Sequence, residues 1–179
     1  MRRLIAGFFK RKLKTIDNTC YNDYFYVVSD DLRAEIKQNK PFFSLEEEVF
    51  LNLQRTANIL TAKISDVLKP FELSYIQYNV LRILRGSGKG LACSEISERL
   101  VTRDSDITRL LDRLEGRGLI VRERYERDKR VMIVRVTEAG KQILQALDAD
   151  MGLAPRKCLG HLGREMLEKL SALLILARK

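Results

Sequence analysis

The segment between Ser94 and Gly140 limits the fold of this chain most tightly, because an amphipathic helix is followed there by a basic two-stranded hairpin. The apolar positions of the helix recur at the i, i+3, i+4, i+7 spacing of a face that packs on a core. They are Ile107, Leu110, Leu111 and Leu114. The opposite face carries Ser105, Thr108, Arg109, Asp112 and Arg113. Such side chains can reach base edges and phosphates from inside a major groove, so the pattern predicts duplex DNA as the partner.

Composition and charge favour a globular domain that binds a polyanion. The chain has 179 residues, which predicts one domain or one domain with an appendage, and its 45% hydrophobic content is enough for a core. The net charge of +9 and the pI of about 9.6 favour nucleic acid as the partner first and an anionic membrane surface second. Because no run of about 18 apolar residues occurs, no transmembrane helix and no stable membrane association are predicted.

The cysteines and the histidine argue against metal, cofactor and catalytic sites. The cysteines are Cys20, Cys93 and Cys158, and none belongs to a CxxC pair. With His161 as the single histidine, the sequence predicts no zinc-ligand set, no cofactor and no enzyme activity. The GSGKG run at 86–90 lacks the glycine spacing of a phosphate-binding loop and predicts a turn. The odd cysteine count and the absence of a secretory signal predict a cytoplasmic protein.

Residues 1–43 form an N-terminal extension whose structure the sequence leaves open. Leu4–Phe9 lies among arginines and lysines. This segment is either a basic amphipathic helix that contacts a membrane surface or nucleic acid, or an arm that packs on its own protein. Tyr21–Val28 predicts a short strand or a buried arm, and Asp30–Asn39 predicts one short helix.

Residues 44–73 predict a long helix suited to packing against another helix. Ser44 and Glu47 have the spacing of a capping box, in which each side chain accepts a hydrogen bond from the other residue's backbone N–H. The helix is expected to end near Lys69, because Pro70 disfavours helical geometry in the residue before it. An apolar seam repeats at spacings of three and four. Its positions are Val49, Leu53, Thr56, Leu60, Ile64 and Val67.

Residues 74–137 predict a helix-turn-helix with a wing, the wing being two strands and the loop that joins them. The predicted helices run from Tyr75 to about Arg85, from about Cys93 to Leu100 and from about Arg103 to Arg117, and the predicted strands are Ile120–Tyr125 and Val131–Val136. A capping box at Ser74 opens the first helix. Thr102 or Asp104 is the predicted N-cap of the third helix. Gly118 ends that helix, since glycine readily adopts the left-handed conformation that follows a helix.

Residues 138–179 predict two further helices with apolar seams. Thr137 is the predicted N-cap of the first. Gly152 and Pro155 are expected to weaken or kink it. The seam positions are Leu144, Leu147, Met151, Ala154 and Cys158 in the first helix and Met166, Leu170, Leu173, Leu174 and Ala177 in the last.

Three motifs stand in one order along the chain. They are Thr108-Arg109-Leu110-Leu111-Asp112-Arg113-Leu114, Asp128-Lys129-Arg130 and Thr137-Glu138-Ala139-Gly140. They lie within ITRLLDRLEGRGLIVRERYERDKRVMIVRVTEAGKQIL, which starts at Ile107, and the segment SYIQYNVLRILRGSGKGLACSEISERL, which starts at Ser74, precedes it. Together these segments closely resemble the recognition helix, wing and flanking helices of MarR-type transcriptional regulators. In architecture the resemblance covers residues 45–179.

The resemblance implies a fold and an assembly. The fold is mainly α with a small β-wing (α+β), in which a winged helix-turn-helix is flanked by N- and C-terminal dimerisation helices of an obligate homodimer. Residues 44–73 are then the N-terminal dimerisation helix and residues 138–179 the C-terminal ones. The apolar seams suit that role, and the alternative is that they pack on each other within one chain. The sequence departs from the family at Ala92, where a capping serine or threonine is common.

The resemblance also implies a sequence-specific DNA-binding regulator, typically a ligand- or stress-responsive repressor. The helix 103–117 lies in the major groove. Its candidate DNA contacts are Thr102, Arg103, Ser105, Asp106, Thr108, Arg109 and Arg113. In the wing, Asp128 pairs with a nearby arginine, and Arg127, Lys129 and Arg130 are candidates to enter the minor groove, whose negative potential attracts arginine. Two such helices and wings per dimer imply a pseudo-palindromic operator with half-sites about one helical turn apart.

Two side chains of this helix have alternative roles. Asp106 either accepts a hydrogen bond from a cytosine amino group, or it caps the helix and orients Arg109. Arg113 either donates to guanine or phosphate, or it forms an ion pair with Asp112 or Glu115.

The regulatory signal is open at the level of sequence. The family's effector pocket lies where the dimer body meets the winged helix, and Phe71, Tyr75 and Tyr78 are candidates to line it. The alternative is that these rings are ordinary core. Cys93 starts a helix, whose dipole can lower a thiol pKa, so it is a candidate for redox sensing, and the alternative is a packed, unreactive cysteine.

Two other classes of function remain as alternatives. The first is a winged helix used only for contact with proteins, against which the arginine-rich wing argues. The second is a membrane-surface protein anchored by the basic residues 1–14.

Overall fold

A computed structural model describes residues 32–101, 106–125 and 130–179 of the chain. In chain order its elements are α1 (Leu45–Leu68), α2 (Tyr75–Ser87), β1 (Leu91–Ala92), α3 (Cys93–Arg99), α4 (Ile107–Gly116), β2 (Ile120–Arg124), β3 (Met132–Val136), α5 (Glu138–Leu159) and α6 (Gly163–Leu176). Single 3-10 turns, Lys69–Phe71 and Gly160–Leu162, follow α1 and α5. The predicted fold class, mainly helical with a small antiparallel sheet, is confirmed.

The boundary between two compact units of the chain falls after Thr56, within α1. In the first unit, helical geometry at 32–35 is shorter than the helix predicted over Asp30–Asn39, and Tyr21–Val28 lies outside the described residues. The predicted capping box is half confirmed. The Ser44 hydroxyl accepts from the backbone N–H of Glu47 at 3.3 Å, but the Glu47 carboxylate accepts from the N–H of Phe43 at 2.6 Å rather than from that of Ser44.

The second unit is built on one hydrophobic core. The largest fully buried side chains of this core are Leu68, Leu81, Leu84, Leu91, Ile96, Leu111, Leu114, Ile120, Leu144, Leu147, Val80 and Val134. They come from α2 to α5, from the three strands and from the last residue of α1. Burial of apolar surface stabilises a fold by roughly 25 cal/mol per Å². This core therefore fixes the helix-turn-helix and the wing as one body.

Helix α2 begins with the predicted capping box. The Ser74 hydroxyl accepts from the N–H of Gln77 at 3.2 Å, and the Gln77 side chain accepts from the N–H of Ser74 at 2.9 Å. Near the other end of α2, both terminal nitrogens of Arg85 donate to the carboxylate of Asp148 at 2.9 and 2.7 Å. These bonds tie α2 to α5 and lower the pKa of Asp148.

Strand β1 was not predicted. The sheet order is β1-β3-β2, and all neighbours are antiparallel, with Leu91 opposite Val134 and Ala92 opposite Ile133. Two residues are too few to show the alternation by which a strand is recognised in a sequence. Gly90 permits the pairing, since a Cβ at this position would lie 2.2 Å from Cγ2 of Ile133.

Helix α3 begins with half of a capping box. The Glu95 carboxylate accepts from the N–H of Ala92 at 2.9 Å. The N-cap residue itself is alanine, with φ of −70° and ψ of 155°, and its methyl group accepts no hydrogen bond. The extended geometry that a capping serine or threonine adopts is therefore already present.

We expect Ala92→Ser to stabilise the protein, because its hydroxyl can accept from a free N–H in the first turn of α3. The gain should be about 0.5–2 kcal/mol in the free energy of unfolding. Denaturant or thermal unfolding measures it. The matched control is Ser74→Ala, which removes an existing cap and should lower stability by a similar amount. Equal stability of Ala92→Ser and the unsubstituted protein would contradict the expectation.

The C-terminal end of α4 closes as predicted at Gly118. This glycine has a φ of +68°, and its N–H donates to the carbonyl of Glu115 at 2.8 Å. The N–H of Leu119 donates to the carbonyl of Leu114 at 3.0 Å. This pair of bonds is the Schellman arrangement, which satisfies carbonyls at the end of a helix.

Thr137 and Gly140 join the start of α5 to the end of α4. The Thr137 hydroxyl accepts from the N–H of Gly140 at 3.2 Å, which confirms the predicted N-cap, and it donates to the carbonyl of Gly118 at 2.7 Å. The N–H of Thr137 donates to the carbonyl of Leu119 at 3.0 Å. Gly140 allows this approach, since a Cβ there would lie 2.4 Å from the Leu119 carbonyl oxygen.

Helix α5 runs without interruption from Glu138 to Leu159, although Pro155 lies inside it. The weakening or kink expected from Gly152 and Pro155 therefore does not divide the helix, and a local kink stays a prediction. Leu144 and Leu147 of its seam are buried in the core, and no residue of α6 is buried.

Candidate nucleic-acid interface

Helix α4 has a buried (dry) face and a solvent-exposed (wet) face, as its spacing predicts. Leu110, Leu111 and Leu114 are buried against the core, and Ile107 packs on it. The wet face is exposed, and it carries Thr108, Arg109, Asp112 and Arg113. The helix thus presents hydrogen-bond donors, acceptors and cationic groups on a rigid, core-anchored surface.

The N-terminal end of α4 differs from the prediction. The helix begins at Ile107 rather than near Arg103, and its N-cap is Asp106 rather than Thr102 or Asp104. The Asp106 carboxylate accepts from the N–H of Arg109 at 3.2 Å and also pairs with the Arg109 side chain at 3.1 Å. Several cap-forming residues lie in a row here, so the sequence alone does not fix which one caps.

Asp106 therefore both caps α4 and orients Arg109, as one of its two sequence interpretations had it. The Arg109 side chain is 80% exposed despite this ion pair, so its guanidinium stays accessible from solvent. A surface cavity of about 150 Å³ lies beside it, lined by Asp106, Arg109, Leu110 and Arg113. Two guanidinium groups thus border one depression on the wet face of α4.

Arg122 takes the carboxylates that were considered as partners for Arg113. It lies in β2 and bonds Oδ1 of Asp112 at 2.6 Å through Nη2, and Oε2 of Glu115 at 2.9 Å through Nε. Its backbone N–H also donates to the Glu115 carboxylate at 3.2 Å. The interpretation of Arg113 as the partner of Asp112 or Glu115 is therefore wrong, and Arg113 forms no ion pair within the described ranges.

The Arg122 cluster joins the wing to α4. Its guanidinium lowers the pKa of Glu115, mainly through the side-chain hydrogen bond, and the two carboxylates raise the pKa of Arg122 in turn. The Arg122 side chain is only 21% exposed, and its charge pairs with carboxylates of the protein itself. Strand alternation was the signal that could have found this role, because Arg122 shares a face of β2 with buried Ile120.

The remaining wing cations differ in their surroundings. Arg135 pairs with Glu123 at 3.3 Å across β2 and β3. Arg130, at the end of the wing loop, is exposed. The other predicted residues of the wing tip, Arg127, Asp128 and Lys129, lie outside the described residues. So do the predicted DNA contacts that precede α4, which are Thr102, Arg103 and Ser105.

The winged-helix geometry matches known proteins in sequence and in structure. The sequence model of the MarR family matches residues 73–132. The crystal structure of a MarR transcription factor from Planctomyces limnophilus is 39% identical, and the match covers 76% of this chain and 99% of that one with a TM-score of 0.58. This chain belongs to the MarR family.

Two further relatives extend the comparison. A repressor, CouR, solved with a 23-mer DNA duplex, is 25% identical, with 79% of this chain and 100% of that one covered and a TM-score of 0.68. An uncharacterized HTH-type transcriptional regulator of Bacillus subtilis, YfiV, is 33% identical over 106 residues, which are 58% of this chain and 64% of that protein. The chain thus spans less than two thirds of this curated relative.

The three aromatic residues predicted to line the family's effector pocket, Phe71, Tyr75 and Tyr78, pack on the core. Tyr78 is buried, with 6% of its surface exposed, and this burial raises its pKa. Phe71 and Tyr75 are partly buried against the same core. All three rings thus contact one core, and their part in effector binding stays a prediction.

The described residues offer neither a disulfide nor a metal cluster. Cys93 and Cys158 are free and partly buried, and Cys93 packs against the core at the first position of α3. Within the described ranges, no group of three His, Cys, Asp or Glu side chains is placed to hold a metal ion. No described helix is both long and apolar enough to cross a membrane.

Proposed function

We propose that this protein is a sequence-specific DNA-binding transcriptional regulator that acts as a homodimer on a pseudo-palindromic operator. Its activity is binding rather than catalysis, and it acts in the cytoplasm. The observation that carries the proposal is the wet face of α4, where Arg109 and Arg113 border one cavity while Asp112 and Glu115 both pair with Arg122. The face therefore meets a polyanion with exposed guanidinium groups.

Arg109 and Arg113 suit direct readout of bases. An arginine can donate two hydrogen bonds to the O6 and N7 atoms of guanine, and such a contact discriminates against a wrong base by about 1–3 kcal/mol. Thr108, on the same exposed face, suits a hydroxyl contact to a base or a phosphate. Arg130 and its neighbours at the wing tip suit the minor groove. Asp106 contributes by orienting Arg109 rather than by contacting DNA itself.

The homodimer is supported by apolar surface that one chain leaves in water. Helix α6 has no buried residue, and five of its large apolar side chains are between 37% and 63% exposed. They are Met166, Leu170, Leu173, Ile175 and Leu176. Contiguous exposed apolar surface of this kind marks an interaction site in a soluble protein. In α1, the exposed Val49 and Leu53 of the predicted seam fit the same role.

Repression relieved by a small molecule is the form of regulation we propose. CouR, which is similar to this chain over 79% of its length, is named a transcriptional repressor. An effector would bind near Phe71 and Tyr75, whose rings are only partly buried. Sensing through Cys93 is not part of the proposal, because this residue packs against the core.

The test is binding of the purified protein to the duplex upstream of its own gene and to a scrambled duplex, across a salt series. We expect preference for the upstream duplex at physiological salt, with two chains bound per site. Arg113→Ala should weaken specific binding by about tenfold or more, because one base contact is lost. Lys157→Ala, which removes an exposed charge from α5, is the control and should bind as the unsubstituted protein does. Equal binding to both duplexes that collapses steeply with salt would contradict the proposal.

A further inference from the structure

Arg117 is an exposed residue at the end of the helix predicted over 103–117, and its guanidinium bonds the backbone of the protein. It follows the last residue of α4. Its Nη1 donates to the carbonyl oxygen of Glu72 at 2.6 Å, and its Nη2 donates to the carbonyl oxygen of Phe71 at 2.9 Å. One guanidinium thus holds two consecutive backbone carbonyls of the turn that connects α1 and α2.

The turn that Arg117 holds has an uncommon backbone. Glu72 has a φ of +53°, a left-handed conformation that few residues other than glycine adopt. Its N–H donates to the carbonyl of Lys69 at 2.9 Å, which closes the single 3-10 turn after α1. A planar guanidinium with paired donors matches two adjacent acceptors, whereas the single ammonium of a lysine does not.

The neighbours of Arg117 are anchored as well. The Gly118 carbonyl accepts from the Thr137 hydroxyl, and the Leu119 carbonyl accepts from the Thr137 N–H. The C-terminal end of α4 is therefore held from two sides, by the α1–α2 turn through Arg117 and by the start of α5 through Thr137. Arg109 in the first turn of α4 and Arg113 in its last turn are the residues that the proposed function assigns to DNA.

We infer that Arg117 is a positioning residue: it fixes the orientation of α4 in the major groove by tying the helix to the α1–α2 turn, and it does not contact DNA. This inference rests on the proposed function. The same contact links α4 to Phe71, the residue on the α1–α2 turn where an effector is proposed to bind. A displacement of this turn would reach α4 through Arg117.

A phosphate-binding role for Arg117 makes a different prediction from a positioning role. Loss of a phosphate contact weakens binding to every duplex alike and lowers the slope of log affinity against log salt by about one. Loss of a positioning contact leaves the charged surface nearly unchanged but misaligns the side chains that read bases. It therefore lowers the ratio of specific to non-specific affinity and leaves the salt slope as it was.

The experiment compares full-length Arg117→Gln and Arg117→Lys with the unsubstituted protein on the upstream and scrambled duplexes over a salt series. We expect both variants to lose about tenfold in specific affinity, which corresponds to 1.4 kcal/mol, with non-specific affinity and salt slope kept. The lysine variant is decisive, because it retains the charge and loses only the paired donation. Circular dichroism at the binding temperature establishes that each variant is folded.

Arg82→Gln supplies a matched control. It removes an exposed arginine charge from α2 that has no assigned part in DNA binding or in positioning α4, so its binding should equal that of the unsubstituted protein. A uniform loss with a lower salt slope in Arg117→Gln, or full specific binding by Arg117→Lys, would overturn the inference. Equal binding of the unsubstituted protein to both duplexes would instead remove the proposed function, and this inference would fall with it.

Discussion

Replacing Arg122 with alanine is expected to lower affinity for the preferred duplex by about ten- to a hundredfold, or roughly 1.4–2.8 kcal/mol. The substitution leaves Asp112 and Glu115 without their shared cation on the helix that is proposed to face the DNA. Two uncompensated carboxylates repel the phosphates, and the wing loses its ion-paired link to α4. Fluorescence anisotropy with a labelled duplex measures the change.

A rescue separates these two causes. In the triple variant Arg122→Ala, Asp112→Asn, Glu115→Gln the repulsion is absent, so affinity should recover in part. Arg82→Ala, which removes an exposed arginine from α2, serves as the control for the loss of a surface arginine. If Arg122→Ala bound DNA as tightly as the unsubstituted protein, the cluster would have no part in the interface.

Gly140→Ala is expected to destabilise the whole winged helix. The added methyl group would stand 2.4 Å from the Leu119 carbonyl oxygen and 2.8 Å from Cγ2 of Val136. Because the nearer atom belongs to the backbone, relief requires α5 to move away from the end of α4, which breaks the bonds of Thr137. Overpacking of this kind costs about 1–3 kcal/mol, and calorimetry should show a melting temperature lower by several degrees.

The control for Gly140→Ala lies in the same helix. A Cβ added at Gly152 meets no atom within 4 Å, so Gly152→Ala should raise stability by roughly 0.5–1 kcal/mol through the higher helix propensity of alanine. Opposite signs for the two substitutions are the expected result. A loss of stability at both positions would mean that the close contact with Leu119 is not the cause.

Features that depend on neighbours in the sequence were predictable. The capping box at Ser74, the N-cap at Thr137 and the helix end at Gly118 all follow from hydrogen bonds formed within a few residues. The dry face of α4 was predictable for the same reason, because helix period alone places Leu110, Leu111 and Leu114 on one side.

Features that depend on partners distant in the sequence could not be predicted. Arg117 and Arg122 look like DNA-binding cations in the sequence. In the fold, however, Arg117 bonds the carbonyls of Phe71 and Glu72. Arg122 pairs with the carboxylates of Asp112 and Glu115. Charge identifies a residue that can pair, but only the fold determines whether a carboxylate, a carbonyl or a phosphate is within reach. The surplus of positive charge that the wing presents to DNA is correspondingly smaller than its sequence suggests.

The central position of β3 bears on how this wing can be exchanged between relatives. Since β3 pairs with β1 on one edge and with β2 on the other, the hairpin is not a separable cassette. A graft of the hairpin alone would meet a foreign β1 at Leu91 and Ala92, whose partners are Val134 and Ile133. A chimaera that keeps the geometry has to carry residues 91–136 as one block, and over evolutionary time the two paired positions on β1 and β3 are expected to change together.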